Sequence, residues 1–366
     1  MCIRDSNCTL VGCLAYNGYY GFRLEYNTAN CTFINCTATH ANYFDGFRMY
    51  NTINCTFINC TAYNNDGDGF YLLYSTNHTF INCSADDNLC GFYLGLSAFC
   101  TLKGCKAGGN KWNYYISGAT ITDYTHYQFH NCWSGDKPVL YRVNQVIASI
   151  PSTDYGTIIL VNCTLPDTLT CIQLPQGGTL ELAYTTPTTI TNCNGSGIIC
   201  INVTNSVIAN ITINTGYYGF LLRDGTNCTL INCTTYNDRY GFAIYYCANY
   251  TVVNCTTHNS EFDGFSLRES GNCTLIDCAS YSSHGYGFNL YLVSNSTFIS
   301  CSSCDNYWDG FYLSYVTNCM FANCTFAYND WYGFYGRDSS YCLITGCWIE
   351  SNMWAGIRLS SCHNLT

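Results

Sequence analysis

The sequence predicts an all-β fold, a parallel β-solenoid of roughly sixteen coils with about 23 residues per coil. Three observations predict it. First, a Gly-Phe pair returns at Gly21, Gly46, Gly69 and Gly91, and again at Gly219, Gly241, Gly264, Gly287, Gly310 and Gly333, the last four steps being 23 residues each. Second, each period reads as three short strands. In Gly219 to Thr234 the residues alternate in period two, are rich in Thr, Cys and β-branched types, and are punctuated by Gly or Asn. Third, no helical periodicity is visible, and only 10% of residues are charged.

Side-chain alternation sets the facing of the first strand. Phe47 and Met49, Phe70 and Leu72, Phe265 and Leu267, and Phe288 and Leu290 point inward. Arg48, Tyr71, Tyr93, Ser266, Asn289, Tyr312, Tyr335 and Arg358 point to solvent. One coil buries too little to offset its ordering entropy, so coils are stable only when stacked. The predicted organisation is one continuous solenoid with four stretches. Residues 1–6 (M-C-I-R-D-S) do not fit the repeat and are expected to be a non-native leader. Residues 7–110 are regular coils, 111–215 irregular coils and 216–366 regular coils.

Cysteine forms two files among 29 residues. Cys36, Cys60, Cys83, Cys105, Cys233, Cys255, Cys278, Cys301, Cys324 and Cys347 recur once per coil, and a second file runs five residues earlier. Stacked equivalents lie about 4.8 Å apart, inside the disulfide window, so the files read either as inter-coil disulfides or as a buried thiol ladder. A zinc site is disfavoured, because C-x-x-C occurs only at Cys301 to Cys304.

Abundant cysteine, 34 tyrosines and a net charge of -10 suit an extracellular or cell-surface protein. The acidic balance excludes nucleic acid as a partner, and no apolar run is long enough for a membrane span. Asn-x-Ser/Thr triplets number 19. Asn30, Asn35, Asn54, Asn59, Asn77, Asn82, Asn227, Asn232, Asn254, Asn272 and Asn323 are glycosylation candidates, with turn chemistry as the other reading.

The irregular middle carries a resemblance. Asp136 to Asn144 (D-K-P-V-L-Y-R-V-N), Ile150-Pro151 and Tyr155 to Asn162 (Y-G-T-I-I-L-V-N) are similar to the G-K-P-V-Y-Y-x-V-N, I-P, G-x-V-x-L-V-N segment of NosD-like β-helix proteins. The resemblance implies a right-handed parallel β-helix with carbohydrate-binding and sugar-hydrolase relatives. For the family's namesake it implies copper delivery, which this chain departs from by placing Cys where the family stacks Asn.

Chemistry on such a surface needs converging carboxylates or a carboxylate-bound calcium. Asp45 and Asp68 occupy one rung position on adjacent coils and are weak calcium candidates, and Asp263 and Asp309 repeat the position. Tyr218, Tyr240, Tyr286 and Tyr332 fill the same slot elsewhere. His126, His130 and Cys132 share strand parity, but a strand spreads them apart. These features assign no catalytic residue and no cofactor. Tyr71, Tyr93, Tyr312 and Tyr335 are carbohydrate-stacking candidates. The function expected is therefore a non-catalytic structural solenoid. Its partner would be copies of itself stacked end to end, because Asn7 to Thr9 and Asn364 to Thr366 share one phase of the coil. The alternative is a β-helix that binds or cleaves surface polysaccharide, as a lyase or hydrolase.

Overall fold

The computed structural model describes residues 2–151, 153–170 and 172–365. It is a β-solenoid of about 15 turns, built almost wholly of short parallel strands. Two compact units are present. The first comprises Met1–Val146, Pro151–Cys163 and Leu174–Tyr184, and the second Ile147–Ile150, Thr164–Gln173 and Thr185–Thr366.

In the first unit, the Gly-Phe strands Phe22–Glu25, Phe47–Tyr50, Phe70–Leu73, Cys90–Gly95 and Trp112–Ser117 pair in register, Phe47 on Phe70 and Phe70 on Phe92. Cys2–Ile3, within the expected leader, adds to this sheet, with Ile3 opposite Leu24. A second sheet contains Thr56–Ile58 and Thr79–Ile81, and a third Thr61–Tyr63 and Ser84–Asp86. The core follows from alternation. Phe22, Phe47, Phe70 and Phe92 stack at 4.8 to 4.9 Å between ring centroids, and Phe57 meets Phe47 edge-on at 5.8 Å. The second unit repeats the scheme, with Phe242, Phe265, Phe288 and Phe311 stacked at 4.7, 4.6 and 4.2 Å.

The corners explain the Asn-Cys-Thr triplets. Asn54 and Asn59 adopt φ of 56° and 50°, a left-handed conformation that Asn tolerates better than most residues. The following Cys turns inward and the Thr opens the next strand. All eleven glycosylation candidates occupy such corners. Several join an amide ladder, as where Asn59 Nδ2 donates to Asn35 Oδ1 (3.2 Å) and Asn232 to Asn210 (3.1 Å). Inside the coil run further ladders not apparent in the sequence, Asn65 to Asn88 to Asn110 and Asn306 to Asn329 to Asn352.

Three details differ from the expected plan. Ser266 is buried rather than exposed, because the Tyr245 hydroxyl reaches over it (3.4 Å). The irregular stretch contains a short helix, Thr122–Thr125, and an antiparallel pair, Trp133–Ser134 with Lys137–Val143. Met1 and Thr366 lie outside the described residues, so the expectations for the leader and for the Asn364 to Thr366 triplet are only partly visible.

Candidate functional site

The cysteine files are core except at Cys347, which is half-buried. Every cysteine whose side chain is described is a free thiol. Cys60 Sγ lies 3.5 Å from the carbonyl of Phe33 one coil away and 3.5 Å from that of Ile58. Where the second file lacks Cys, His78 takes the place. It is wholly buried, with Nδ1 accepting the Cys55 N–H and Nε2 facing Thr52 Oγ1, both at 3.0 Å.

His126, His130 and Cys132 do not converge. His126 packs on Phe99 after the short helix, His130 is exposed beside Gln128, and the Cys132 thiol turns inward to the Leu102 carbonyl. Asp45 and Asp68 are also engaged. Asp45 accepts the Asp68 N–H (2.9 Å) and Arg48 Nη1 (2.8 Å), and Asp68 accepts the Cys90 N–H (3.0 Å). Among the described residues no group of three metal-ligating side chains is arranged to hold a metal.

In each unit the outer face of the Gly-Phe strands is chemically distinct. The chain has nine arginines, and six of them, Arg23 and Arg48 in the first unit and Arg223, Arg268, Arg337 and Arg358 in the second, stand on these strands. Arg142 stands on Lys137–Val143, which pairs with Trp133–Ser134 and with Thr157–Val161, and no other described strand carries an arginine. Tyrosines interleave with these arginines. In the first unit the Arg48 guanidinium lies over Tyr71 (4.4 Å) and Tyr20 (5.6 Å), and Tyr71 stacks on Tyr93 (4.8 Å). In the second, Tyr312 stacks on Tyr286 (4.6 Å), and Arg358 lies over Tyr335 (4.9 Å) and Tyr332 (5.2 Å). Each of the four stacking candidates thus has a face against a neighbouring ring or guanidinium. What the surface offers outward is ring edges, hydroxyls and N–H groups, a donor-rich face.

Within it, the Asp309 carboxyl is only 1% exposed. Oδ1 accepts the Tyr332 N–H (2.9 Å), while Oδ2 is enclosed and has no partner. Burial pushes its pKa up from 3.8 to about 6, against the opposing pull of the Tyr332 N–H and the Arg358 charge. A carboxyl raised on folding resists ionisation in the native state. The fold is therefore penalised above pH 6, and the penalty fades as pH falls toward 3.8. We expect Asp309→Asn to stabilise the protein by about 2 kcal/mol at pH 7.5 and by almost nothing at pH 4, read from urea midpoints. Equal stabilisation at both pH values would refute the account.

Bordering this face is a tryptophan ridge that sequence reasoning missed. Trp308, Trp331 and Trp354 occupy one turn position on consecutive coils, with centroids 6.0 and 5.3 Å apart and 37 to 60% exposed. The signal was present in N-Y-W-D-G, N-D-W-Y-G and N-M-W-A-G, each Trp two residues before the glycine.

A sequence profile described as right handed beta helix region matches residues 1–134, 150–259 and 218–366. The chain belongs to the right-handed β-helix family. No curated protein matches it. Among solved structures, this β-helix is similar to the A-module of mannuronan C-5 epimerase AlgE6 from Azotobacter vinelandii. Identity is 16%, TM-score 0.43, and coverage 78% of this chain and 71% of that one. The Azotobacter vinelandii mannuronan C-5 epimerase AlgE4 A-module matches at 12% identity and TM-score 0.34, covering 88% and 91%. The periplasmic alginate epimerase AlgG matches at 9% and 0.34, covering 93% and 77%. At these identities the likeness concerns the fold. These neighbours are nonetheless enzymes by name, against the expectation that this chain is not one, and that expectation is withdrawn.

Proposed function

We propose that this β-helix binds and modifies an acidic polysaccharide on the outer face of its Gly-Phe strands, and that it works outside the cytoplasm, where such polymers are met. The observation that carries the reading is the concentration of arginine, interleaved with tyrosine, on the Gly-Phe strands of both units in a chain whose net charge is -10. Guanidinium groups pair with carboxylate and sulfate by parallel N–H bonds, and phenol hydroxyls add donors without a second charge. Epimerases of mannuronan and alginate share the fold, which makes a uronate polymer a natural first substrate to try.

The second unit holds the better-equipped site. Arg358 is exposed, and its Nη1 donates to the Tyr332 hydroxyl (2.7 Å). A phenol held by a guanidinium beside a bound anion is placed to give or take a proton, the step on which uronate chemistry depends. Retention on alginate, polygalacturonate and neutral glucan columns, with NMR of the recovered polymers, tests the reading. Retention on the acidic polymers that weakens at high salt is expected, with altered sugar signals in at least one. Salt-insensitive retention on the neutral polymer alone would overturn it.

A further inference from the structure

Four coils place aspartate immediately before the glycine of the Gly-Phe strand, and three of these carboxyls can be compared oxygen by oxygen. One oxygen accepts a backbone N–H from the next coil in each: Asp68 N–H for Asp45 (2.9 Å), Tyr286 N–H for Asp263 (3.1 Å) and Tyr332 N–H for Asp309 (2.9 Å). The other oxygen separates them. Asp45 takes Arg48 Nη1 (2.8 Å), three residues on, and Asp263 takes Asn289 Nδ2 (2.8 Å), on the next coil. At Asp309 both donor positions hold tyrosine. Tyr312 lies flat on Tyr286 and Tyr335 sits beneath Arg358, so Oδ2 is left enclosed and unbonded. A buried acceptor without a donor costs stability, and such a cost in a native protein asks for a reason.

The cation near it comes from two coils away. In the register, Ala355 follows Tyr332, and its small side chain leaves room for Arg358 to lie back across the Tyr332 and Tyr335 rings. Tyr332 joins the two groups, its N–H donating to Asp309 Oδ1 (2.9 Å) and its hydroxyl accepting from Arg358 Nη1 (2.7 Å), and the Arg358 charge opposes the upward push of burial on the Asp309 pKa. We propose that Arg358 and Tyr332 form a seat for one acidic group of the glycan, a carboxylate or sulfate, and that Asp309 beneath them is a positioning residue that sets the seat's affinity.

This rests on the acidic-polysaccharide reading and adds to it a site and a control. Ionised, Asp309 competes with the ligand anion for the field of Arg358; protonated, it leaves that field to the ligand. Proton binding at Asp309 and anion binding at Arg358 therefore favour each other, by linkage. The titratable and charged groups around Asp309 are Tyr286 and, beyond it, Asp263 from the coils before. Tyr312 stands on its own strand, and Tyr332, Tyr335, Arg337 and Arg358 come from the coils after.

Calorimetric titration with two probes at pH 5 and pH 7.5 tests the seat. One probe is a sulfated oligosaccharide whose charge is constant over that range, the other an oligouronate. Wild-type protein should bind at least one of them about fivefold more tightly at pH 5. Asp309→Asn should bind at the tighter value at both pH values, and Arg358→Gln should bind weakly at both. The probe with the larger pH effect identifies the group, sulfate or carboxylate. Wild-type binding that is flat with pH, or an Asp309→Asn variant that keeps the pH dependence, overturns the seat alone. No binding of either probe at any pH overturns the acidic-polysaccharide reading and the seat with it.

Discussion

Gly287→Val is expected to cost the second unit about 3 kcal/mol or more, because the added carbons have nowhere to go. An ideal Cβ on Gly287 would fall 1.9 Å from Ser303 Oγ, 2.7 Å from the Gly310 carbonyl oxygen and 2.8 Å from Asn306 Nδ2. That carbonyl already accepts the Phe288 N–H (2.8 Å), and Asn306 is a member of the buried amide ladder, so relief on one side breaks a bond on the other. The glycine of the Gly-Phe pair is thus required by close approach of the next coil. Gly12 provides the contrast. Its φ is +62° with nothing within 4 Å of a Cβ, and Gly12→Asn should be tolerated because Asn already serves at the equivalent corners. A urea midpoint for Gly287→Val within error of wild type would contradict the packing described.

Acid should weaken the first unit through His78, by about 3 kcal/mol between pH 6.5 and pH 4. Burial pushes the pKa of this imidazole down from 6.5 to about 4. Its Nδ1 must stay unprotonated to accept the Cys55 N–H, and its other nitrogen then donates to Thr52. The folded state therefore holds fewer protons than the unfolded chain in this window. Stability is full above pH 6.5 and is lost as pH falls toward 4. His78→Cys, which restores the residue used by neighbouring coils, should remove this part of the acid sensitivity. Urea unfolding of both proteins at pH 7 and pH 4.5 measures the difference. A variant as acid-sensitive as wild type would show that His78 is not the cause.

The inward file of Phe47, Phe70 and Phe92, the three-strand coil and the once-per-coil recurrence of cysteine were all legible in the sequence, because alternation within a strand fixes which way a side chain points. The same rule placed Arg48, Tyr71, Tyr312, Tyr335 and Arg358 on the outer face. It failed at Ser266, which a tyrosine from the preceding coil covers. The stacking candidates were legible as ring-bearing positions only, since whether a ring's face is open depends on the coil above it.

What the sequence determined by itself is thus the repeat, its all-β class, and the list of residues that point in or out of each coil. These are local properties, carried by spacing along the chain. Only the tertiary structure decided which glycines are steric and which conformational, why Asn holds the corners, and that Asp263 is satisfied while Asp309 is not. The two aspartates share the same D-G-F signature. They differ because the donor for the second oxygen is supplied by a neighbouring coil, and stacking, rather than sequence proximity, chooses that neighbour.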